Sequence, residues 1–160
     1  ATMSFGQSFQ ITPLQMLRAA SAIINGGNLV TPHFAVKSVS EADGTAVEFN
    51  YEIQSNAIEE KTSLMMKDIL RQVVEEGGGK KAYLEGFSIG GKTATSQKLP
   101  RGSGKYISSF IGFSPVDNAK VIAMCLIDEP QGIYYGGTIA APVIRELFEN
   151  ILPYLEIQNN

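Results

Sequence analysis

The residues with the clearest chemical potential lie between Ile89 and Gln97, where glycines and hydroxyl side chains surround one lysine, Lys92. Gly86 to Thr93 matches the bare pattern G-x-x-x-x-G-K-[ST] of a phosphate-binding loop. In such a loop, backbone N–H groups and the lysine hold the phosphates of a nucleotide. Nucleotide binding is therefore the first chemistry that this segment suggests.

The surrounding sequence argues against a nucleotide site. A phosphate-binding loop opens a helix, but Pro100 and the glycines after it prevent the residues that follow Thr93 from forming one. A nucleotide site also needs an apolar strand that ends in a magnesium-binding carboxylate, and Leu126 to Asp128 matches this pattern only weakly. A strand suits the segment better, and on a strand Lys92 could also be a solvated edge residue, with threonines present for their β-propensity.

Composition narrows the function classes. The chain has 160 residues, of which 44% are hydrophobic and 18% charged, as expected for one domain or part of one. A formal net charge of -3 argues against nucleic acid as a partner. No apolar run is long enough to cross a membrane, so we expect a soluble chain. Cys125 is the only cysteine, which leaves no disulfide or zinc site, and its apolar surroundings predict a buried packing residue.

Hydrophobic periodicity predicts an alternation of helices and extended segments. Thr12 to Gln15 has the pattern of a capping box that starts a helix, which Asn25-Gly26-Gly27 ends. A loose hairpin is expected next, with one strand over 29–40, a turn at 41–44 and a second extended piece over 46–53. The remaining predicted elements are a helix over 62–76, three extended pieces over 87–97, 106–113 and 121–127, and a closing helix over 138–152 with Pro142 in its first turn.

The three extended pieces are expected to form an antiparallel meander. Ser114 to Asn118 supplies turn residues between the last two pieces. The loop from Lys98 to Lys105 connects the first two, and its three basic residues are expected to form a solvated tip. The third piece is apolar on both faces, which predicts helices on both sides of it.

A family resemblance extends from end to end of the chain. Lys92-Thr93-Ala94 resembles the third motif, K-T-G, of the serine acyltransferases that recognise D-alanyl peptides and β-lactams, with alanine in place of glycine. The chain is similar to the penicillin-binding protein transpeptidases, and to their class B type in its opening segment. The other matching segments are Met3 to Gln7, Thr12 to Gln15, Asn25 to Pro32, Gly90 to Gln97, Ser109 to Pro115 and Tyr135 to Val143.

The resemblance implies the α+β fold of the penicillin-binding protein and serine β-lactamase type. An antiparallel three-strand meander and a closing C-terminal helix would pack with two further helices and a small hairpin. Residues 1–160 would be the C-terminal part of one transpeptidase domain, with a helical and hairpin part over 1–80 and the motif strand, meander and closing helix over 81–160. In the family, the strands that complete the sheet come from the N-terminal half of the domain. We therefore expect an incomplete sheet here, with an edge that is exposed or covered in a homo-oligomer.

Two of the family's three motifs are absent from these 160 residues. No lysine has a serine three positions before it, so there is no S-x-x-K, and no asparagine completes S-x-N. The family places both motifs before the segment with which the chain begins, so we expect a fragment that contains no nucleophile and has no activity alone. The remainder of its own domain would be a partner.

The resemblance also implies roles for the retained motif. The Lys92 ammonium would stabilise the substrate carboxylate and orient the second motif's hydroxyl, and the Thr93 and Thr95 hydroxyls would bind the same carboxylate. The backbone N–H of Thr95 would be one oxyanion-hole donor. The methyl of Ala94 would narrow the substrate pocket. Tyr134 and Tyr135 could border the cleft or only pack beside the closing helix.

The implied parent is a peptidoglycan D,D-transpeptidase that forms an acyl-serine with D-Ala-D-Ala stem peptides, is acylated by β-lactams, and needs no cofactor or metal. It would be anchored at the extracytoplasmic face of the bacterial cell membrane. Two alternatives stay open, a non-catalytic binding module and a D,D-carboxypeptidase or β-lactam sensor. His33, the sole histidine, is expected at the surface or in a cap.

Overall fold

The first helix, α1 (Pro13–Ile24), begins at the predicted capping box. The structure is a computed structural model that describes residues 10–157. The Thr12 hydroxyl accepts a hydrogen bond from the Gln15 N–H at 3.2 Å, and the Gln15 side chain accepts one from the Thr12 N–H at 3.0 Å. Both predicted halves of the box are therefore confirmed. The helix ends at Asn25, because Gly26 and Gly27 take positive φ angles of 82° and 90°.

The hairpin is shorter than the sequence predicts. Its strands are β1 (Lys37–Val39) and β2 (Ala46–Glu48), paired antiparallel with Lys37 opposite Glu48. Upstream, the Phe49 N–H donates to the Val36 carbonyl at 3.0 Å, and Leu29 and Gln54 form an isolated bridge. Pro32 lies in this upstream stretch and has no N–H to donate to a ladder, which shortens the first strand.

Helix α2 (Glu60–Glu75) confirms the second predicted helix within two residues at each end. It packs against the end of α1 through buried Ser63. The Ser63 hydroxyl donates to the Ile23 carbonyl at 2.7 Å and accepts from the Gly26 N–H at 3.1 Å. These two bonds satisfy backbone groups that the end of α1 would otherwise leave unpaired. A short 3₁₀ helix, Lys80–Ala82, follows α2.

The three extended pieces form the predicted meander of β3 (Gly90–Gln97), β4 (Tyr106–Ser114) and β5 (Val121–Asp128). Their order in the sheet is β3-β4-β5, and both pairings are antiparallel. Strand β3 therefore lies at one edge and β5 at the other. The described part of the chain contains no further strand in this sheet, as the prediction of an incomplete sheet requires.

The closing helix is divided, which corrects the prediction of one helix over 138–152. Its parts are α3 (Gly136–Ile139) and α4 (Ala141–Tyr154), separated at Ala140. Pro142 lies in the first turn of α4, as predicted. Because proline has no N–H, it cannot donate to the Thr138 carbonyl, which removes one bond from the junction.

Two apolar clusters cover the two faces of the sheet. Phe110 of β4 packs with Ile144 and Phe148 of α4, while Phe113 packs with Ile24 and Val116 on the side of α1. Helices α1 and α4 both contact β5, so helices lie on both sides of this strand, as predicted. Their coverage is incomplete, because no residue of β5 is fully buried.

Cys125 on β5 packs against the α4 cluster but is only partly buried, less than the sequence predicts. Burial raises the pKa of its thiol. A protonated thiol beside apolar groups fits the predicted packing role and makes a poor nucleophile.

Candidate active site

Strand β3 presents every second backbone unit to the free edge of the sheet. The Lys98 N–H donates to the Lys105 carbonyl at 2.9 Å. This bond identifies the residues of β3 whose backbone N–H and C=O groups point toward β4. Backbone groups alternate along an antiparallel strand, so Lys92 and Ala94 face β4, and Thr93 and Thr95 face the free edge. The N–H of Thr95 is therefore available for an incoming group.

The side chains of the motif alternate between the two faces of β3. Lys92 and Ala94 lie on one face and are exposed, whereas Thr93 and Thr95 lie on the other and are half-buried. The Lys92 ammonium reaches around the edge and donates to the Thr93 carbonyl at 2.5 Å. The charge and the threonine backbone thus meet at the strand edge, although the side chains leave opposite faces.

The glycines of the segment serve packing. A Cβ at Gly91 would lie 2.4 Å from the Phe110 ring, and one at Gly90 would lie 2.3 Å from the Phe113 ring. These aromatic rings occupy the space that side chains would need. Since β3 continues past Thr93 to Gln97, no helix opens there, and the structure excludes a phosphate-binding loop.

A hollow of about 350 Å³ lies beside the motif. One wall is Thr93 to Thr95, and the facing wall is the segment from Tyr135 to Thr138, with Gly78 completing the lining. The Gly136 N–H donates to the Thr95 hydroxyl oxygen at 3.1 Å. A Cβ at Gly137 would lie 2.2 Å from the Gly78 carbonyl oxygen, so only glycine allows this approach.

Tyr134 and Tyr135 have different surroundings. Tyr134 stacks on Tyr106 with ring centroids 4.0 Å apart, a packing contact. Tyr135 lines the hollow and is 59% exposed as a residue. A hydrogen bond with Tyr134 raises the pKa of Tyr135, so its phenol stays protonated and able to donate at neutral pH.

The basic residues of the β3–β4 loop are not all solvated, which corrects the sequence prediction. Lys98 lies 3.0 Å from an oxygen of Asp128 and 2.8 Å from one of Glu129, and Lys105 lies 3.0 Å from Glu129. The hydrogen bond from Lys98, and to a lesser extent the one from Lys105, holds the pKa of Glu129 below its usual range. Of the three basic residues, only Arg101 fits the predicted solvated tip.

His33 lies on the hairpin segment, exposed as predicted. Its ring stacks on Tyr51 with centroids 3.7 Å apart, and its Nδ1 is 2.8 Å from the Thr31 carbonyl oxygen. The motif segment Met3 to Gln7 lies outside the described residues. In residues 10–157, no helix has the length and apolar character needed to span a membrane.

Comparison with protein-family models matches residues 1–149 to the penicillin binding protein transpeptidase domain. Among curated proteins, stage V sporulation protein D of Bacillus subtilis is 38% identical over 99% of this chain and 25% of its own length. The protein named "Probable peptidoglycan D,D-transpeptidase PenA" of Neisseria flavescens is 33% identical over 98% of this chain and 38% of its own length. The chain thus spans less than two-fifths of each of these relatives.

Solved structures share the fold. Penicillin-binding protein 3 of Mycobacterium tuberculosis, in complex with aztreonam, superposes with a TM-score of 0.84 at 24% identity over 99% of this chain and 38% of its own. The transpeptidase domain of penicillin-binding protein 3 from Burkholderia pseudomallei gives a TM-score of 0.78 at 26% identity, over 99% of this chain and 47% of its own. The observed α+β arrangement is therefore that of known transpeptidase domains.

Proposed function

Because the chain belongs to the penicillin-binding protein transpeptidase family, we propose that it supplies one wall of a peptidoglycan D,D-transpeptidase site. The observation that carries this proposal is the free edge of β3, where the Lys92 ammonium lies on the Thr93 carbonyl and the residues Thr93 to Thr95 line the hollow. The nucleophilic serine comes from another part of the domain, because these 160 residues contain no S-x-x-K.

The proposed reaction has two acyl-transfer steps. The serine oxygen attacks the carbonyl of the penultimate D-alanine, the peptide bond to the terminal D-alanine breaks, and that residue leaves as a free amino acid. An amine of a neighbouring stem peptide then attacks the acyl-serine, which restores the serine and forms the cross-link. A β-lactam enters the first step, and its ring amide opens to give a stable acyl-serine.

In that reaction, the residues of this chain stabilise negative charge on the reacting carbonyl and on the substrate carboxylate. The Thr95 N–H donates to the oxyanion that forms when the carbonyl is attacked, and the serine N–H is the second donor. The hydroxyls of Thr93 and Thr95 bind the terminal carboxylate of the substrate. Lys92 lowers the free energy of this carboxylate, and its charge acts more strongly once the closed site excludes water.

The remainder of the domain is the proposed partner. The Glu129 N–H donates to the Tyr106 carbonyl, so the backbone groups of Glu129 point toward β4. Because these groups alternate along the strand, the residues of β5 whose backbone groups point to the free edge are Ile122, Met124, Leu126 and Asp128. Such an edge pairs readily with another strand. Exposed apolar side chains on α2, namely Leu64, Met65 and Ile69, supply surface for the same partner. In its absence, a second copy of the chain is the alternative occupant of the edge.

We place the parent protein at the extracytoplasmic face of the bacterial membrane, where peptidoglycan is cross-linked. The likeness to stage V sporulation protein D and to PenA supports a role in cell-wall synthesis during sporulation or division.

The absence of a serine motif in this sequence supports a second candidate, a non-catalytic module that binds cell-wall peptides. A fluorescent penicillin separates the two, because only the enzyme retains it covalently through denaturing electrophoresis. Analysis of the product released from the acyl-enzyme then separates a transpeptidase, which transfers the acyl group to an amine, from a D,D-carboxypeptidase or sensor.

Replacing Ala94 with glycine tests whether its methyl narrows the substrate pocket. The test uses the assembled domain, which is this chain joined to the part of the domain that carries S-x-x-K and S-x-N. The Ala94 methyl projects from the exposed face of β3, so its removal should raise the acylation rate of the assembled domain by about two- to fivefold. Glycine in a strand should also lower stability by about 0.5–1 kcal/mol. Second-order acylation rates and urea unfolding midpoints measure the two effects. The matched control is Ala46→Gly in β2, which should lower stability alone, and an unchanged or slower acylation in Ala94→Gly would contradict the assignment.

A further inference from the structure

We propose that Glu129 is a positioning residue that keeps the Gly136 N–H on the Thr95 hydroxyl, and so directs the hydrogen of that hydroxyl into the hollow. The consequence for catalysis rests on the proposed function. The geometry itself can be tested without any reaction.

The contact at the hollow decides how Thr95 can bind a ligand. A hydroxyl carries one hydrogen and accepts through its lone pairs. Since the Thr95 oxygen accepts from the Gly136 N–H at 3.1 Å, its hydrogen remains for donation. Within residues 10–157 no acceptor is found for that hydrogen, and the side chain borders the hollow. Thr95 is thereby prepared to donate to an anionic group such as a carboxylate.

The segment that carries Gly136 begins at Glu129. Glu129 has a φ of 49°, in the left-handed region that a residue other than glycine seldom adopts. Its N–H donates to the Tyr106 carbonyl at 2.9 Å, and its carboxylate lies 2.8 Å from Lys98 and 3.0 Å from Lys105. Two cations from the β3–β4 loop thus hold an unfavourable turn at the end of β5.

Contacts along the segment connect its two ends. Tyr106, which accepts from the Glu129 N–H, also stacks on Tyr134. The carbonyl of Tyr134 accepts from the hydroxyl of buried Ser108, the residue of β4 opposite Thr95. Two residues further on, Gly136 is enclosed, because a Cβ there would lie 2.3 Å from the Ala94 carbonyl oxygen. A turn released at Glu129 would therefore be transmitted to Gly136.

The charged groups around Glu129 are Lys98, Lys105 and Asp128. The two cations lower the pKa of Glu129, so the ion pairs are present at neutral pH and are lost as the pH falls through that lowered value. Replacement by glutamine should remove this acid-dependent loosening.

The experiment measures hydrogen exchange of the Gly136 amide by NMR in the 160-residue chain. At neutral pH, Glu129→Gln should speed exchange at least about tenfold, and Glu129→Asp should restore part of the protection. The matched control is Glu75→Gln, which removes an exposed ion pair with Arg71 on α2 and should leave Gly136 unchanged. Lys105→Met, which leaves Lys98 on Glu129, gives a milder second variant if Glu129→Gln does not fold. Unchanged Gly136 exchange in a folded variant would overturn the proposal.

A second measurement separates this proposal from the proposed function. In the assembled domain, Glu129→Gln should weaken the non-covalent binding of penicillin before acylation about fivefold, while the acylation step itself changes little. If the wild-type domain forms no acyl-enzyme, the transpeptidase assignment fails, and amide exchange alone decides the role of Glu129. If binding and acylation are both unchanged in Glu129→Gln, the positioning role is wrong.

Discussion

Lys92→Met in the assembled transpeptidase domain is expected to slow acylation by a fluorescent penicillin about a hundredfold or more. Methionine keeps the length and apolar stem of the side chain but removes the charge that the structure places at the edge of β3. Loss of a single fixed group that stabilises charge in a transition state typically slows catalysis about 10²- to 10³-fold. The measurement is the second-order rate of acyl-enzyme formation, followed by gel fluorescence.

The control for this variant is Lys37→Met in β1, which removes an exposed strand lysine outside the hollow. It should acylate at the wild-type rate, and both variants should unfold near the wild-type urea midpoint. Near-normal acylation in Lys92→Met would make Lys92 a solvated edge residue.

Gly136→Ala should destabilise the chain by about 3 kcal/mol, because the added methyl meets backbone atoms rather than movable side chains. Its Cβ would lie 2.3 Å from the carbonyl oxygens of both Ala94 and Ser109. Relief requires α3 to move away from β3 and β4, which would also break the Gly136–Thr95 contact. In a chain of this size the expected fall in melting temperature is about 6–12 °C.

The matched control is Gly78→Ala. A Cβ at Gly78 meets nothing within 4 Å, and its φ is not positive, so this variant should melt within about 2 °C of the wild type. Equal melting temperatures for both variants would show that α3 adjusts without cost and that the close approach at Gly136 is unimportant.

Local signals predicted most of the elements. The capping box at Thr12 requires only residues three positions apart, and the ends of α2 and the meander strands followed from apolar spacing and turn residues. Features that depend on which backbone hydrogen bonds form were predicted less well, because apolar spacing does not report these bonds. The hairpin strands are short, and the helix after Gly136 is divided, because Pro32 and Pro142 remove donors.

The motif strand itself was found from residue types and the family resemblance, whereas its surroundings depend on tertiary contacts. The Gly136–Thr95 bond joins residues 41 positions apart. The cluster around Glu129 joins it to Lys98, 31 positions earlier, only once the register of β3, β4 and β5 is set. The basic loop carried no local signal of these ion pairs, except that β5 ends in Asp128 and Glu129 follows it directly.

Covalent labelling by a fluorescent penicillin tests the central claim most directly, on this chain alone and on the same chain joined to the segment of its domain that carries S-x-x-K and S-x-N. The chain alone should show no labelled band after denaturing electrophoresis. The joined protein should be labelled, and unlabelled penicillin should compete for that label. A labelled band from the 160-residue chain alone, or no label on a folded joined protein, would contradict the account.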